Sequence, residues 1–557
     1  MKGFSPIEVI LASTIFGMLV TAMIGAMIYG QQSTAKSGDR GRAIILADEG
    51  IQAARSIRNL SYAGLTDGTY GLAQSSNKWV FSGSSDTNGI YTRQTTVANR
   101  SGNAKLITTT VTWQDGNSTG SVSVSSVLTN WLAAIAPTVV VPIVTTGPVM
   151  MAYSKTTTTP FYRIWDGTSW SAEATALSAV GNINYIVVKS SKKRNEAVMG
   201  VQTSTGAIYV QIWNGTSWGN LTQVGTGPAA TRSFDIAYEK NSGKALIAYT
   251  PTSGSPDFAY RIWDGTALSA ATTITAPPTT GALNWLELRQ NPLATSNEIS
   301  MIMSDANLDV YGMAWTGSAW SALGTTAVWD ASAATATKKT IDVEYGQTSG
   351  EAMFMWGDSV ATDQYYRTWN GAMLSAATLL DIPAAGGVSE WVQLAARPNS
   401  NEILLGVQDA GADLNTRIWS GTAWDTATQH PEHSASVENI TSKTFDISWE
   451  TSTTNPGKAW IAWGNGATVS TKTWSSIAWG TAATLSGSDD TSFVRLRADP
   501  ASGTLFAGLY EDTTSATADI WETRLTGGGS TWSTKNIIWA GPTTATPVFF
   551  RVDIATP

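Results

Sequence analysis

One unit of about 52 residues recurs eight times along most of the chain, and it restricts the fold more than any other feature. In one copy residues 162–170 read Tyr-Arg-Ile-Trp-Asp-Gly-Thr-Ser-Trp, and residues 210–218 are nearly the same. The Asp-Gly or Asn-Gly pair predicts a hairpin turn, because both central residues of such a turn need positive φ. We therefore expect each unit to form a four-stranded antiparallel sheet. The equivalent central positions are Trp165, Trp213, Trp263, Trp315, Trp369, Trp419, Trp474 and Thr526.

The two ends of the repeat array predict a closed ring. The first unit begins near Val149 and lacks the strand centred on a large apolar residue that the other units have. Residues 547–554 supply such a strand, with no unit after it. Pairing between these two segments would complete one sheet and remove exposed strand edges. The sequence thus predicts an all-β, eight-bladed propeller over residues 149–557, closed by the C-terminal strand.

Charge and composition exclude several classes of function. The net charge is −8 and only 14% of the residues are charged, whereas nucleic-acid binding needs clustered basic side chains. The absence of cysteine removes thiolate nucleophiles and Cys-ligated zinc, and two histidines leave little material for imidazole chemistry. We therefore expect no enzyme activity, no cofactor, no metal site and no nucleic-acid partner.

The N-terminus carries an uncharged apolar run that is long enough to span a membrane. Residues 9–29 contain no charged side chain, and about 20 apolar residues suffice to cross the hydrocarbon layer as a helix. One carboxylate, Glu8, stands immediately before the run. Residues 3–8 read Gly-Phe-Ser-Pro-Ile-Glu, without the cleavage site that a secretory signal has after its apolar core.

This segment resembles the prepilin signature of type IV pilins and pseudopilins. The resemblance implies that a prepilin peptidase removes residues 1–3 by cutting between Gly3 and Phe4, and that the new amino terminus is methylated. It implies that residues 4–30 form a transmembrane and filament-core helix that packs against other pilin subunits. Glu8 would pair with the amino terminus of the adjoining subunit and set the axial register. Pro6 is a mild departure from the pattern, since proline is tolerated in a first helical turn.

Residues 31–132 have the pattern of a pilin-like head, an α+β arrangement of a long helix and an antiparallel sheet. Apolar residues recur at helical spacing from Ile44 to Leu60, and Gly64 ends the pattern. Strands are predicted at 79–81, 90–97, 105–113 and 121–128. Residues 133–148, which contain prolines and valines, read as an extended linker to the propeller.

The repeated arginines and tryptophans are the candidate ligand-binding residues. An arginine stands two residues before the tryptophan in several units, so both side chains lie on the same face of a strand. An aromatic plane beside a bidentate donor can hold a sugar ring, with a recurrent glutamate such as Glu196, Glu298, Glu351 or Glu402 accepting hydroxyls. Such sets are similar to those of propeller lectins. The alternatives are inter-blade packing for the tryptophans and structural Arg–Glu pairs for the arginines. The candidate pairs are Arg163 and Trp165, Arg261 and Trp263, Arg367 and Trp369, and Arg417 and Trp419.

Three other patterns have simpler explanations than catalysis or metal binding. Residues 116–120 match Gly-x-Ser-x-Gly but stand between two predicted strands, so we expect a hairpin turn there. Paired acids such as Asp305 and Asp309 have spacings typical of turn caps. His430 and His433 flank a proline and do not form a helical metal motif.

The sequence favours a minor or tip pilin-like subunit that displays an adhesive propeller on a prokaryotic cell surface. Its expected partners are the prepilin peptidase, other pilin subunits, the membrane, and a surface glycan or protein ligand. One alternative is a pseudopilin of a secretion or DNA-uptake apparatus with a protein-binding propeller. A tethered propeller glycosidase is a third reading, which would need two carboxylates at a defined separation.

Overall fold

The computed structural model describes the chain in two compact units, residues 1–141 and 142–557, which are treated separately here. The described residues are 5–76, 78–101, 104–115, 118–130, 148–155, 157–275, 280–324, 327–360, 363–382, 386–426, 429–438, 442–451, 457–511, 519–526, 528–541 and 552–556. Gly3 and Phe4 lie outside them, as does nearly all of the expected linker 133–148.

The first unit begins with a single long helix, α1, which spans Pro6–Leu60. Ser5 caps its N-terminus in a reciprocal arrangement, because the Glu8 carboxylate accepts a hydrogen bond from the Ser5 backbone N–H at 2.9 Å. By length and composition, α1 could cross a membrane. A short 3-10 turn at Tyr62–Gly64 follows the helix.

Six strands form the sheet of this unit, in the order β2-β1-β4-β5-β6 with β3 beside β4. The four predicted strands correspond to β2, β4, β5 and β6. The β5–β6 hairpin pairs Asp115 with Ser118, so the expected hairpin at 116–120 is confirmed. The bounds are β1 Gly68–Ser75, β2 Lys78–Ser82, β3 Asp86–Asn88, β4 Tyr91–Ser101, β5 Ala104–Asp115 and β6 Ser118–Thr129.

The two halves of α1 have different surroundings. The second half packs on the sheet, where Ala47, Ile51 and Ala54 are buried at the interface with Ile107 and Val111. The first half carries exposed apolar side chains from Ile7 to Tyr29. One continuous helix therefore combines a packed face with an uncovered apolar segment.

The second unit consists of short antiparallel strands. The residues in α-helix among those described all lie in α1. The bounds are β7 Val149–Ser154, β8 Pro160–Trp165, β9 Ala174–Thr175, β10 Ile183–Ser190, β11 Ala197–Thr203, β12 Ala207–Trp213, β13 Trp218–Thr226, β14 Phe234–Tyr238, β15 Ala245–Tyr249, β16 Phe258–Trp263, β17 Thr272–Ile274, β18 Leu283–Gln290, β19 Ile299–Asp305, β20 Val310–Trp315, β21 Trp320–Ser321, β22 Ile341–Tyr345, β23 Ala352–Gly357, β24 Asp363–Trp369, β25 Thr378–Asp381, β26 Ser389–Ala396, β27 Ile403–Asp409, β28 Leu414–Trp419, β29 Phe445–Trp449, β30 Ala459–Gly464, β31 Val469–Trp474, β32 Ala483–Thr484, β33 Thr491–Ala498, β34 Leu505–Glu511, β35 Ile520–Leu525, β36 Asn536–Trp539 and β37 Val552–Ala555.

The described strands of this unit form eight sheets, which we number along the chain. Sheet 1 has the order β37-β7-β8-β9, and sheets 2 to 8 begin with β10, β14, β18, β22, β26, β29 and β33. Seven of the eight have the four strands expected from the repeat, and sheet 6 has three. The C-terminal strand β37 pairs antiparallel with β7, which confirms the prediction that it completes the first sheet.

The first strands of the sheets, which we call inner strands, contact one another in sequence around the unit. The contacts run from β10 through β14, β18, β22, β26, β29 and β33 to β37, and β37 contacts β10. The body is accordingly a propeller-like arrangement of small sheets about a common axis.

Even-numbered and odd-numbered sheets differ, although the repeat predicts equivalent units. The inner strands of sheets 2, 4, 6 and 8 have eight residues, and each has a register shift before its aromatic residue. The inner strands of sheets 3, 5 and 7 have five residues and continuous register. The structural repeat is thus a pair of sheets.

Candidate functional site

The four candidate Arg–Trp pairs occupy the same place in four sheets. Each pair lies on the third strand of its sheet, in β8, β16, β24 and β28. Their exposure differs: Arg163 and Trp165 are both half-buried, whereas in the other pairs at least one member is buried. The buried members are Trp263, Trp369 and Arg417.

The guanidinium groups of these arginines hold the segment that follows the tryptophan. Arg163 Nη1 donates to the Ser171 carbonyl at 3.2 Å, and Arg261 Nη1 donates to the Ser269 carbonyl at 2.9 Å. Arg367 makes the equivalent contact with Ser375 at 3.4 Å. In all three arginines the Nε–H group is buried and has no acceptor among the described residues. Arg163 and Arg261 also interact with the Tyr153 and Tyr249 hydroxyls, where they oppose the rise in pKa that burial causes.

The Arg163 site lies between sheet 1 and sheet 8, and it brings together the residue types expected of a saccharide site. Arg163 Nη2 donates across the sheets to the Ile538 carbonyl at 3.2 Å. The Arg524 guanidinium carbon lies 4.4 Å from the centre of the Trp165 ring. Trp170 packs against Trp165 with ring centres 5.5 Å apart. We use the name Arg163 site for Arg163, Trp165, Trp170, Arg524 and Glu522.

Glu522 is the acid of this site. Its carboxylate accepts a hydrogen bond from Asn536 Nδ2 at 2.8 Å, and its second, buried oxygen forms an ion pair with Arg524 Nε at 3.8 Å. Burial raises the pKa of Glu522, although the nearby Asn536 amide and the Arg524 charge oppose that shift. The site therefore combines arginine donors and a carboxylate acceptor next to an aromatic plane.

The recurrent glutamates have other partners than the candidate arginines. Glu196 forms an ion pair with Arg194 at 2.9 Å and accepts from Tyr238. Glu298 accepts from the Trp369 indole at 3.1 Å. Glu402 pairs with Arg397, close to it in sequence. Glu196 and Glu402 thus pair with arginines close to them in sequence, and Glu298 is held by the Trp369 indole of the next sheet.

Arg417 belongs to a different, closed network. It forms an ion pair with Asp425 at 3.2 Å, and Asp425 also contacts His430 Nε2. His430 Nδ1 lies 3.0 Å from the Thr416 hydroxyl. An Asp–His–hydroxyl series is the arrangement of a hydrolase triad, but the Thr416 side chain is only 1% exposed. The hydroxyl cannot meet a substrate there, and the network joins neighbouring sheets.

Aspartates in the loops cap turns, as expected. The Asp305 carboxylate accepts from the backbone N–H groups of Gly281, Asn307 and Asp309 at 2.6 to 2.9 Å. Asp409 has the equivalent contacts with Gly386 and Gly411. Within the described parts of the chain, His, Asp and Glu form no group of three that could hold a metal ion.

The structure reveals a charged cluster around the central axis that the repeat pattern did not predict. The same pattern of four consecutive residues stands at the start of sheets 3, 5 and 7: a basic residue, Ser or Thr, a large apolar residue, and Asp. In each sheet the basic residue and the Asp form an ion pair. This four-residue pattern recurs at intervals of about 105 residues, twice the sheet repeat, and could have been found by searching at that spacing. The pairs are Arg232 and Asp235, Lys339 and Asp342, and Lys443 and Asp446.

The aspartates of this cluster connect each odd-numbered sheet to the following even-numbered sheet. Asp235 accepts a hydrogen bond from the Leu288 backbone N–H at 2.9 Å, and Asp553, in sheet 1, accepts one from Val188 at 3.0 Å. Asp342 and Asp446 do the same with Leu394 at 2.7 Å and Leu496 at 2.9 Å. Four equivalent carboxylates thus hold the inner strands together.

The comparisons with known proteins give structural likeness only. No protein-family profile and no curated protein matches the sequence. The fungal lectin of Aleuria aurantia, described as a six-bladed β-propeller with a novel fucose recognition mode, is 10% identical with a TM-score of 0.35, covering 65% of this chain and 96% of its own. SapL1 lectin in complex with α-methyl fucoside is 14% identical with a TM-score of 0.32, covering 65% and 97%.

A third solved structure belongs to an enzyme. The dihydro-heme d1 dehydrogenase NirN is 8% identical to the chain with a TM-score of 0.43, covering 70% of this chain and 73% of its own. At TM-scores below 0.5 and identities of 14% or less, none of these three proteins assigns a family to the chain.

Proposed function

We propose that the chain is a pilin-like subunit that carries a closed eight-bladed β-propeller as a ligand-binding head. In this proposal, removal of residues 1–3 exposes Phe4 for methylation, and the helix anchors the protein in the membrane before assembly. Glu8 then pairs with the amino terminus of an adjoining subunit. The protein becomes a minor or tip component of a type IV pilus-type filament on the cell surface.

The observation that carries the filament role is the division of helix α1. Its second half has a sheet to pack on, while the side chains from Ile7 to Tyr29 are apolar and exposed. Exposed apolar surface of this extent needs a membrane or other helices to cover it. In the isolated chain Glu8 bonds to the Ser5 backbone, so pairing in a filament would exchange this cap for the charge of a neighbouring amino terminus.

The proposed ligand of the head is a saccharide, and the proposed place is the Arg163 site. Trp165 supplies an aromatic plane, Arg163 and Arg524 supply donors, and Glu522 supplies an acceptor oxygen. Saccharides need such a combination, because their rings expose both C–H faces and hydroxyls. The half-buried position of Arg163 and Trp165 favours this site over the pairs in which one member is buried.

A glycan array probed with the full chain in detergent micelles tests the binding role. We expect binding to a limited set of saccharides, with affinity reduced about tenfold or more in Arg163→Ala, because a hydrogen bond to a charged group contributes roughly 1.5–3 kcal/mol. Arg163→Lys keeps the charge but loses the planar fork, so it should be only partly active.

Lys244→Ala is the matched control, since Lys244 is an exposed cation of sheet 3. The melting temperature of each variant separates loss of binding from loss of folding. If no saccharide binds to the folded chain, the saccharide proposal fails, which leaves a protein-binding or a purely structural propeller.

A further inference from the structure

The inner strands of the even-numbered sheets place three cations at one level of the central axis. The residue four positions after the aromatic of each strand is Lys189, Arg289, Ala395 or Arg497, in sheets 2, 4, 6 and 8. These positions are equivalent because all four strands share the same length and the same register shift. A fourfold ring thus contains three long basic side chains and one methyl group.

A cavity of about 170 Å³ opens at this level, and we call it the axial mouth. Residues from the inner strands of sheets 1, 2, 3, 4 and 8 line it, which places it at the centre of the ring. No Asp or Glu occurs among its described lining residues, whereas four basic residues do: Lys189, Lys192, Arg289 and Arg497. Acids do contact one of these cations from outside the lining of the mouth: Arg289 pairs with Asp342 at 3.1 Å and with Glu344 at 3.3 Å, and Asp342 also accepts a hydrogen bond from a backbone N–H group.

The positive charges of the axial mouth are only partly compensated within the chain. Among the described residues, no side chain forms a hydrogen bond or ion pair with Lys189, and burial lowers its pKa despite the fields of Asp235 and Asp553. Arg497 reaches Asp446 only at 3.5 Å. Burial, followed by repulsion from Arg495, lowers the pKa of Arg497 to about 10. Both shifts indicate cations that lack sufficient counter-charge.

Neighbouring groups supply space and a further donor. A second cavity of about 210 Å³ lies beside Ala395 and is lined by Arg289, Arg497 and Glu344, the acid that pairs with Arg289. The short Ala395 side chain leaves room where a fourth cation would stand. Gln290 lines the axial mouth, and its buried Nε2 group has no acceptor among the described residues. An acceptor that enters the mouth would satisfy this amide as well as the cations.

We propose that the axial mouth binds a sulfate or phosphate group between Lys189, Arg289 and Arg497. A tetrahedral oxyanion presents oxygens in several directions and so suits cations from three separate strands, whereas a carboxylate suits one bidentate arginine. A metal cation does not suit the mouth, because carboxylate ligands are missing from its described lining. This site is independent of the Arg163 site and of the filament proposal.

Isothermal titration calorimetry of the full chain with sodium sulfate, at constant ionic strength set by chloride, tests the proposal. We expect a dissociation constant of about 1 mM or below. Lys189→Gln and Arg497→Gln should each weaken binding about tenfold, the effect of losing one charged contact. Ala395→Glu should abolish binding and raise the melting temperature. The new carboxylate would lie beside Arg289 and Arg497 and would compensate their positive charges in place of the anion.

Lys244→Gln is the control for a lost positive charge outside the mouth, and its affinity should equal that of the wild type. A sulfated monosaccharide, titrated in parallel, distinguishes the source of the group: tighter binding than inorganic sulfate assigns the mouth to an ester, and equal binding assigns it to the free ion. The proposal is overturned if neither probe binds the folded wild type, or if Ala395→Glu and Lys189→Gln bind as the wild type does.

Discussion

Asp553 illustrates at the residue scale how one carboxylate can join three sheets. It lies on the C-terminal strand of sheet 1, accepts from Val188 of sheet 2, and forms an ion pair with Arg495 of sheet 8 at 2.8 Å. Burial raises its pKa, but Arg495 and Lys189 outweigh burial and lower the pKa to about 2. The charged form is therefore strongly favoured in the folded ring.

Asp553→Asn should lower the free energy of unfolding of the propeller at neutral pH by about 2 kcal/mol, because the pKa difference between folded and unfolded states corresponds to roughly that amount. The folded pKa is depressed, so this stabilisation is present above about pH 4 and is lost as the pH falls towards 2. In thermal melts, the melting temperature of the variant should therefore fall less than that of the wild type as the pH is lowered from about 4 towards 2.

Asp489→Asn is the control for this measurement, since Asp489 is an exposed carboxylate near the start of sheet 8. Its melting curve should follow the wild type at every pH. Equal acid profiles for Asp553→Asn and the wild type would show that this carboxylate does not help to close the ring.

Residue patterns predicted the packing side chains better than the charged ones. The tryptophans, the hairpin turns and the capping role of Asp305 follow from local sequence. Lys443 and Asp446 were not predicted as partners of a buried cluster, because a charge on a strand is ordinarily a sign of solvent exposure. They are buried because the central axis of the propeller-like body brings together residues of sheets 3, 5 and 7, which are about 105 positions apart in the sequence.

At the scale of elements, helix α1 shows how glycine can serve packing in one place and not in another. A Cβ atom at Gly50 would lie 2.5 Å from Thr109 Cγ2 and 2.6 Å from its Oγ1, so the helix backbone lies directly against the Thr109 side chain of the sheet. A Cβ atom added at Gly41 would have no other heavy atom within 4 Å among the described residues outside the helix's own nearby backbone. The same substitution should therefore have opposite effects at the two positions.

Gly41→Ala should stabilise the helix by about 0.5–1 kcal/mol, because alanine has the higher helix propensity. Gly50→Ala should destabilise the first unit, because the buried Thr109 must move and its hydrogen bond to Thr95 is disturbed. Hydrogen exchange of residues 43–57 measures both effects within this unit. Equal protection in the two variants would contradict the close packing at Gly50.

The elements were largely predictable, and their irregularities were not. All four strands predicted for the first unit are present, and alternation of apolar residues marks β5 and β6 directly, whereas β1 and β3 were not predicted. The register shifts of β10, β18, β26 and β33 were missed. A bulge depends on the hydrogen bonding of the adjacent strand, and the sequence of a single strand carries little sign of it.

At the scale of the whole molecule, the chain carries a long helix with an exposed apolar segment and a body of eight small sheets. Period and chain ends predicted eight sheets and their completion by the C-terminal strand. The alternation of odd and even sheets was hidden, because it doubles a period that already explains the tryptophans. Ligand sites were the least predictable feature, because contacts of the arginines depend partly on the neighbouring sheet, as Arg417 shows by donating to the Asp381 carbonyl of sheet 5 at 3.2 Å.

The amino-terminal residue of the mature protein, isolated from sheared cell-surface material and identified by mass spectrometry, tests the central claim most directly. If the chain is a pilin-like subunit, its first residue is Phe4 carrying one methyl group, and the propeller is present in the same surface fraction. A chain that still begins at Met1, or one that is cut after the apolar run, would contradict the account.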